Sequence, residues 1–297
     1  MAQNWPWRLI LRRHLIWLLA GALLAACGTA SRQVTAFQQS PAPASRLPTE
    51  SPAAQPTTTT VVPSPELPWI VGAIPLPRRP DGFGVIRSTP PALMDRRLPV
   101  IDRLPPPKSS SFESTISPVP PEVLARSTWQ PNCPVTPDQL RYLTISFRGF
   151  DARAHTGEML VNADVAKTVV GVFKRLFAAG FPIEEMRVTN AAELNLLPTG
   201  DGNNTSAFVC RETRGQKQWS QHAYGLAIDL NPFNNPYVKG DLVIPELASA
   251  YLDRDWVRSG MALDGGPAVI AFESAGWKWG GRWSDPVDFM HFSVNGQ

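Results

Sequence analysis

The sequence predicts an α+β domain in which a short antiparallel sheet is flanked by helices and preceded by a proline-rich tail. Three observations predict it. Tyr142-Leu143-Thr144-Ile145-Ser146-Phe147 has strand composition, and Met159-Leu160-Val161 reads as a second short strand. Ala163 to Ala179 carries Val165, Val169, Val172, Phe173, Leu176 and Phe177 on one face, the spacing of an amphipathic helix. Twenty of the 31 prolines lie between Ser31 and Pro121, where little apolar surface and no periodicity support a core. Strands and helices do not alternate strictly, which argues for α+β over a parallel α/β sheet.

Taken in order, the chain opens on a targeting segment. Arg8, Arg12 and Arg13 precede the apolar run Leu15 to Ala26, the length of a signal peptide and not of a spanning helix. The run ends Leu24-Ala25-Ala26-Cys27-Gly28, which looks like a bacterial lipobox. Residues 1–26 are therefore expected to be a lipoprotein signal, and Cys27 the lipidated first residue of the mature chain. An uncleaved anchor, or a secretory signal with an incidental cysteine, is the alternative. Residues 27–68, with Thr57-Thr58-Thr59-Thr60, read as a disordered Pro/Thr/Ser-rich linker. Residues 69–121 remain proline-rich but partly ordered: Trp69 to Ile74 and Phe83 to Ile86 are apolar enough for short strands or for packing against the globular part.

The globular part, 122–297, begins with Thr136-Pro137-Asp138-Gln139, a capped turn leading into the first strand. Asn162 is placed to cap the long helix, and Gly180 with Phe181-Pro182 to stop it. Met186 to Thr189 and Leu226 to Leu230 read as strands. Pro267 opens a helix over Ala268 to Ala275, closed by Gly276, and a last strand surrounds His291.

Charge and cysteines narrow the function. The chain has 28 Lys+Arg against 25 Asp+Glu, and the three arginines ahead of Cys27 account for the excess. The mature chain is formally neutral and has no basic stripe, so no nucleic-acid partner is expected. Cys133 and Cys210 are the remaining cysteines, and in an exported protein they are expected to pair, holding the segment of Arg211. Neither belongs to a closely spaced pair, which disfavours them as metal ligands.

Two segments carry the chemistry: Ser220-Gln221-His222-Ala223-Tyr224-Gly225-Leu226-Ala227-Ile228-Asp229, and Asp288-Phe289-Met290-His291-Phe292. They supply two of the chain's four histidines and two carboxylates. Catalytic zinc takes three protein ligands and leaves one position open. Gly225 permits a turn after His222, and on the following strand Ala227 and Asp229 share a face. Asp288 and His291 are three apart, which one flat strand would put on opposite faces; Asp285-Pro286 suggests instead a turn carrying Asp288, with His291 starting the last strand. His155 reads as a surface-loop histidine beside Gly157, with approach to the site as the alternative. Trp277, Trp279 and Trp283, with Gly280 and Gly281, read as a core-and-rim cluster shaping a loop, with an aromatic wall beside a cleft as the alternative.

These residues resemble the bacterial D-alanyl-D-alanine carboxypeptidases of the VanY and VanX type and the related L-alanyl-D-glutamate endopeptidases. The family pattern is Ser-x-His-x-x-Gly-x-Ala-x-Asp, followed late in the chain by an acidic residue, two spacers and His. Asn204-Thr205-Ser206-Ala207-Phe208, Cys210-Arg211, Trp219-Ser220 and Asp229-Leu230-Asn231-Pro232 join the likeness, which runs from about Trp129 to the C-terminus. The resemblance implies a zinc peptidase domain with one zinc per chain on His222, Asp229 and His291, placed at the sheet. It implies Asp288 as general base, although many relatives have glutamate there, and Arg211 as the group that holds the developing oxyanion. Ser220 and Tyr224 are the implied substrate contacts. The implied substrate is a peptidoglycan stem peptide, cut by carboxypeptidase or endopeptidase action, by a monomer lipid-anchored through Cys27 on the extracytoplasmic face of the bacterial envelope. The alternatives are a catalytically silent zinc-containing module that binds cell wall, and a metal enzyme acting on a non-peptide substrate.

Overall fold

The computed structural model describes residues 69–213 and 216–297, all within the unit Pro63–Gln297. The expected signal, Cys27 and the linker lie outside the described residues.

Residues 69–113 form a strap with one short 3-10 turn, Pro91–Leu93. The two apolar stretches predicted as strands or packing segments do not become strands. Prolines 75, 77 and 80 remove ladder donors, and only an isolated bridge joins Arg78 to Gly84. The strap instead lies on the globular part. The Trp69 indole donates to Asp201 at 2.9 Å, the Gly84 amide to Glu246 at 2.7 Å, and Leu76 and Leu93 pack with Phe233, Leu247 and Tyr251. Arg96, 1% exposed, makes a two-pronged ion pair with Glu184 at 2.6–2.7 Å.

β1 (Ser114–Ser117) is followed by α1 (Pro121–Arg126), β2 (Leu140–Arg148) and β3 (Ala154–Asn162), and β1-β2-β3 make the first antiparallel sheet. The predicted capped turn ahead of β2 is present, and Thr136 and Gln139 form a capping box there. The hairpin β2–β3 is longer than its composition suggested, pairing Leu140 with Asn162 through to Arg148 with Ala154. Asn162 accepts from the Asp164 amide, but a 3-10 turn (Ala163–Val165) comes first, so α2 runs Ala166–Ala178. Its predicted face, Val169, Val172, Phe173, Leu176 and Phe177, is buried against β2, while Val165 is only half buried.

The rest of the chain is a set of very short elements: β4 (Glu185–Met186), β5 (Asn204–Thr205), β6 (Ala227–Asp229), β7 (Tyr237–Lys239) and β8 (Leu242–Ile244). These are followed by α3 (Pro267–Glu273), β9 (Lys278–Trp279), β10 (Val287–Asp288) and β11 (His291–Ser293). The predicted strand Met186–Thr189 stops at Met186, because the Arg187 amide turns to the Asn204 side chain and Asn190 caps the next 3-10 turn. The single expected sheet is thus several small ones. Besides β1-β2-β3 there are antiparallel sheets β10-β7-β8 and β6-β11-β9, and the parallel pair β4-β5.

Ile228 and Phe292 are fully buried in the main core, where Phe292 stacks on Phe272 of α3 at 4.0 Å. Behind the hairpin a second cluster, with Leu140, Leu160 and Phe208, includes Cys210, which is bonded to Cys133. The bridge closes a span of 77 residues, so its chain-entropy contribution is at most about 4.5 kcal/mol. Cys133→Ser/Cys210→Ser, or the reduced wild type, is expected to lose about 2–4 kcal/mol in denaturant unfolding; equal midpoints with and without reductant would refute this.

Candidate active site

His222 sits in a 3-10 turn, Gln221–Tyr224, whose N-cap is Ser220; the Ser220 hydroxyl accepts from the His222 amide at 3.3 Å. Gly225 ends the turn at φ 68, a left-handed conformation, and a Cβ there would meet the Asn162 amide nitrogen at 2.5 Å. This glycine lets the turn lie directly on the end of β3, and its carbonyl accepts from that amide at 2.9 Å. β6 follows at once. In the pairing of β6 with β11, Asp229 stands opposite His291 and Ile228 opposite Phe292. Side chains alternate along each strand, so sending Ile228 and Phe292 into the core sends Asp229 and His291 to the other face.

The tautomers follow from the partners. His222 Nδ1 lies 2.6 Å from the Ala207 carbonyl, and His291 Nε2 lies 2.9 Å from the Gln297 carbonyl. A carbonyl can only accept, so these nitrogens carry the protons. The lone pairs of His222 Nε2 and His291 Nδ1 are left facing each other at 3.2 Å, and each lies 3.3 Å from Asp229 Oδ1. Three acceptors converging without a donor between them call for a cation. Ligand atoms held about 2.0–2.1 Å from a tetrahedral ion stand about 3.3 Å apart, and the triangle has that size. His222, Asp229 and His291 therefore form a group able to hold a metal ion. Both imidazoles are almost wholly buried, whereas 22% of the Asp229 side chain is exposed, so the group opens on the carboxylate's side.

Electrostatics fit the same picture. Burial raises the Asp229 carboxyl, but the adjacent imidazoles overcome this and hold it well below the ordinary carboxylate range. Burial opposes the charged form of His291, yet Asp229 and then Asp288 raise its pKa. Asp288 goes the other way. Burial lifts it to about 7, with Asp229 adding to the rise and His291, the Met290 amide and Arg211 opposing it. Its Oδ1 is buried and has no hydrogen-bond partner among the described residues.

Asp288 is not carried on the turn expected after Asp285-Pro286 but lies in a strand, because its segment pairs with β7; His291 does begin the last strand, as expected. Asp288 closes β10, paired with Tyr237, Phe289-Met290 turn the chain, and His291 opens β11. Arg211 follows the disulfide-bonded Cys210, its guanidinium donates to the Glu212 carbonyl at 3.3 Å, and it makes no ion pair among the described residues. Ser220 has a hydroxyl committed to capping, and the Tyr224 ring packs against the cluster behind the turn.

His155 is not the surface-loop residue expected. It is 5% exposed on β3, with Nδ1 2.8 Å from Asp102 and Nε2 3.1 Å from Asp151. The strap supplies Asp102, a pairing across 53 residues that spacing could not reveal. Two of the three tryptophans are core: Trp277 is 2% and Trp279 6% exposed, while Trp283 lies 5.4 Å from the His291 ring. The sequence also gave no sign of the Ala207 carbonyl, because any residue supplies one. Gly280 was legible as part of a loop-shaping Gly-Gly pair, but its packing against Asp288 was not.

A family model described as D-alanyl-D-alanine carboxypeptidase matches residues 214–294. The likeness to that peptidase family therefore holds over the stretch that contains His222, Asp229, Asp288 and His291. Arg211, Ala207 and the disulfide precede the match. No curated protein and no solved structure matches the chain.

Gly280 lies under Asp288. A Cβ there would meet the Asp288 carbonyl at 2.7 Å, Asp288 Cβ at 3.1 Å and His291 Cβ at 3.3 Å. Gly280→Ala is expected to displace β10 and lower both metal affinity and peptidase turnover by about tenfold or more. Unchanged values for both in a folded variant would refute the close packing.

Proposed function

We propose that this chain is a zinc peptidase that hydrolyses peptide bonds in the stem peptides of bacterial peptidoglycan. The observation that carries the reading is the convergence of three ligand lone pairs beside a carboxylate whose Oδ1 is buried with no hydrogen-bond partner among the described residues. The family match over the same residues supports the peptide substrate. When bound, zinc supplies a Lewis acid that polarises a carbonyl and brings the pKa of water to about 7.

The protein's own groups do the rest. Ala207 and Gln297 hold the two imidazoles in the tautomers that present Nε2 of His222 and Nδ1 of His291. Asp288, raised to about 7, is matched to taking up a proton at its free Oδ1 near neutral pH. Arg211, which pairs with no carboxylate among the described residues, can donate to the oxygen on which negative charge develops. Ser220 acts by fixing His222, and Tyr224 is kept as a substrate contact on the resemblance alone. A carboxylate with a free buried oxygen and a pKa raised to about 7 favours a catalyst over a silent binding module. By the same proposal Cys27 carries the lipid, and a monomer faces outward from the bacterial membrane; an unmodified Cys27 in an intact-mass measurement would refute the anchor.

The test is mass spectrometry of purified stem peptides incubated with zinc-loaded protein, where no cleavage at all would overturn the reading. His222→Ala or His291→Ala is expected to lose metal and activity together. Asp288→Asn should keep the metal and lose turnover by about a hundredfold or more, because an amide cannot accept the proton. Arg211→Ala should also keep the metal, with a loss of about a hundredfold. Near-normal turnover in Asp288→Asn would show that another group is the base.

Protons compete with the metal. Asp229 stabilises the protonated form of His291, whose pKa is raised above the ordinary 6.5, and protonation at Nδ1 removes a ligand. Metal affinity is therefore full above the raised value and falls as pH drops through it. Competition with a chromophoric chelator should show about tenfold or more weaker binding at pH 6 than at pH 8; equal affinities would contradict the assignment of His291.

A further inference from the structure

Away from the metal group, Trp256 is 44% exposed and stands on a built support. The Arg258 guanidinium lies over its ring at 4.1 Å from the centroid and over the Tyr251 ring at 3.8 Å. Arg258 is 6% exposed and Tyr251 fully buried. The arginine is fixed by donating to the Met94 carbonyl at 3.1 Å and the Ala250 carbonyl at 2.7 Å, and the tyrosine hydroxyl accepts from the Arg96 amide at 2.8 Å. Arg258 forms no ion pair among the described residues. Its charge is used against aromatic faces and carbonyls, which holds an exposed indole rigid.

Beside this indole is a surface depression of about 420 Å³ lined by Asp95, Arg97, Trp256, Val257, Arg258 and Ser259. The side chains of Asp95 and Arg97 are more than half exposed. A flat apolar face ringed by charged and hydroxyl groups matches a pyranose, which has an apolar C–H face and a rim of hydroxyls. A membrane or an apolar peptide would require a contiguous apolar surface, and the charged pair interrupts one. Rigidity matters here, because an immobile aromatic platform loses little entropy on binding.

The platform is also tied to the metal group. Asn231, Asn234 and Asn235 follow Asp229 directly in the chain. Their side-chain amides donate to the Gly260 carbonyl at 3.2 Å, the Ser259 carbonyl at 3.0 Å and the Gly260 carbonyl at 3.0 Å, respectively. One turn therefore fixes both the ligand strand and the loop carrying Trp256.

We propose that this depression is a saccharide-binding subsite with Trp256 as its stacking platform. Only the identity of the natural ligand, the glycan to which a stem peptide is attached, rests on the proposed function. The probe is a tetrasaccharide of β-1,4-linked N-acetylglucosamine, titrated into the full chain by calorimetry and by the indole N–H signals in NMR. Wild type is expected to bind saturably, Trp256→Phe to retain part of the affinity, and Trp256→Ala to bind about tenfold or more weakly. Trp256→Ala should still cleave a soluble stem peptide at the wild-type rate while losing activity on intact cell-wall polymer. No saturable binding by wild type, or equal binding by folded Trp256→Ala, overturns the subsite. Trp256-dependent saccharide binding by a protein that cleaves no stem peptide supports the subsite and overturns the proposed function instead.

Discussion

The antiparallel register that sets Asp229 opposite His291 and Ile228 opposite Phe292 is the constraint on which the site depends. Strand side chains alternate faces, so a slip of one residue would carry a ligand into the core and an apolar side chain out. Fully burying Ile228 or Phe292 is worth about 1.5–3 kcal/mol each, and Phe292 is further held by Phe272 and Trp279. The apolar half of the register thus fixes the polar half. Asp229 and His291 are thus brought together without any attraction between them being required, which suits a group whose acceptors face one another.

That group is electrostatically incomplete by itself. Two half-buried carboxyls and two buried imidazoles share a small volume. The protein answers by pushing the carboxyls apart in acidity, Asp229 downward and Asp288 up to about 7. Neighbouring carboxyls with divergent pKa values are the arrangement that assigns one to holding charge and the other to moving a proton. The cause is position: Asp229 touches both imidazoles, whereas Asp288 Oδ1 is buried without any partner among the described residues.

Much of this was legible in the chain. The amphipathic spacing of α2, the capped turn at Thr136 and the short strand after Gly225 are local features, and local rules recover them. The two motifs gave the four site side chains because their residue types are scarce: two of only four histidines lie in them. What failed was long-range. His155 looked like a loop residue because Asp102, 53 positions earlier, supplies the partner that makes its burial tolerable. The stretch from Trp69 to Ile86 was open between strands and packing; proline removes the ladder donors, and Trp69 and Leu76 bury apolar surface without forming strands, against residues whose distance along the chain hides the contact. The small sheets were merged into one because strands of two or three residues carry almost no period to read.

The site's outer supports come from outside the stretch that carries the family likeness. The Ala207 carbonyl selects the tautomer of His222, and Arg211 sits beside the disulfide to Cys133. Further out, Arg96 of the strap pairs with Glu184, Glu184 accepts from Asn203 at 2.8 Å, and Asn203 donates to Asn234 at 3.0 Å. Asn231, at φ 42, adopts a conformation asparagine tolerates better than most residues, and its amide holds the Pro182 and Gly260 carbonyls in return. A buried ion pair is a weak source of stability, since desolvation offsets most of its attraction. Its clearer effect here is to reject other placements of the strap, because moving Arg96 would leave a buried carboxylate unpaired. The polar chain from Arg96 to Asn231 therefore fixes the turn that follows Asp229, and the ligand strand is held from a residue more than a hundred positions upstream of the family match.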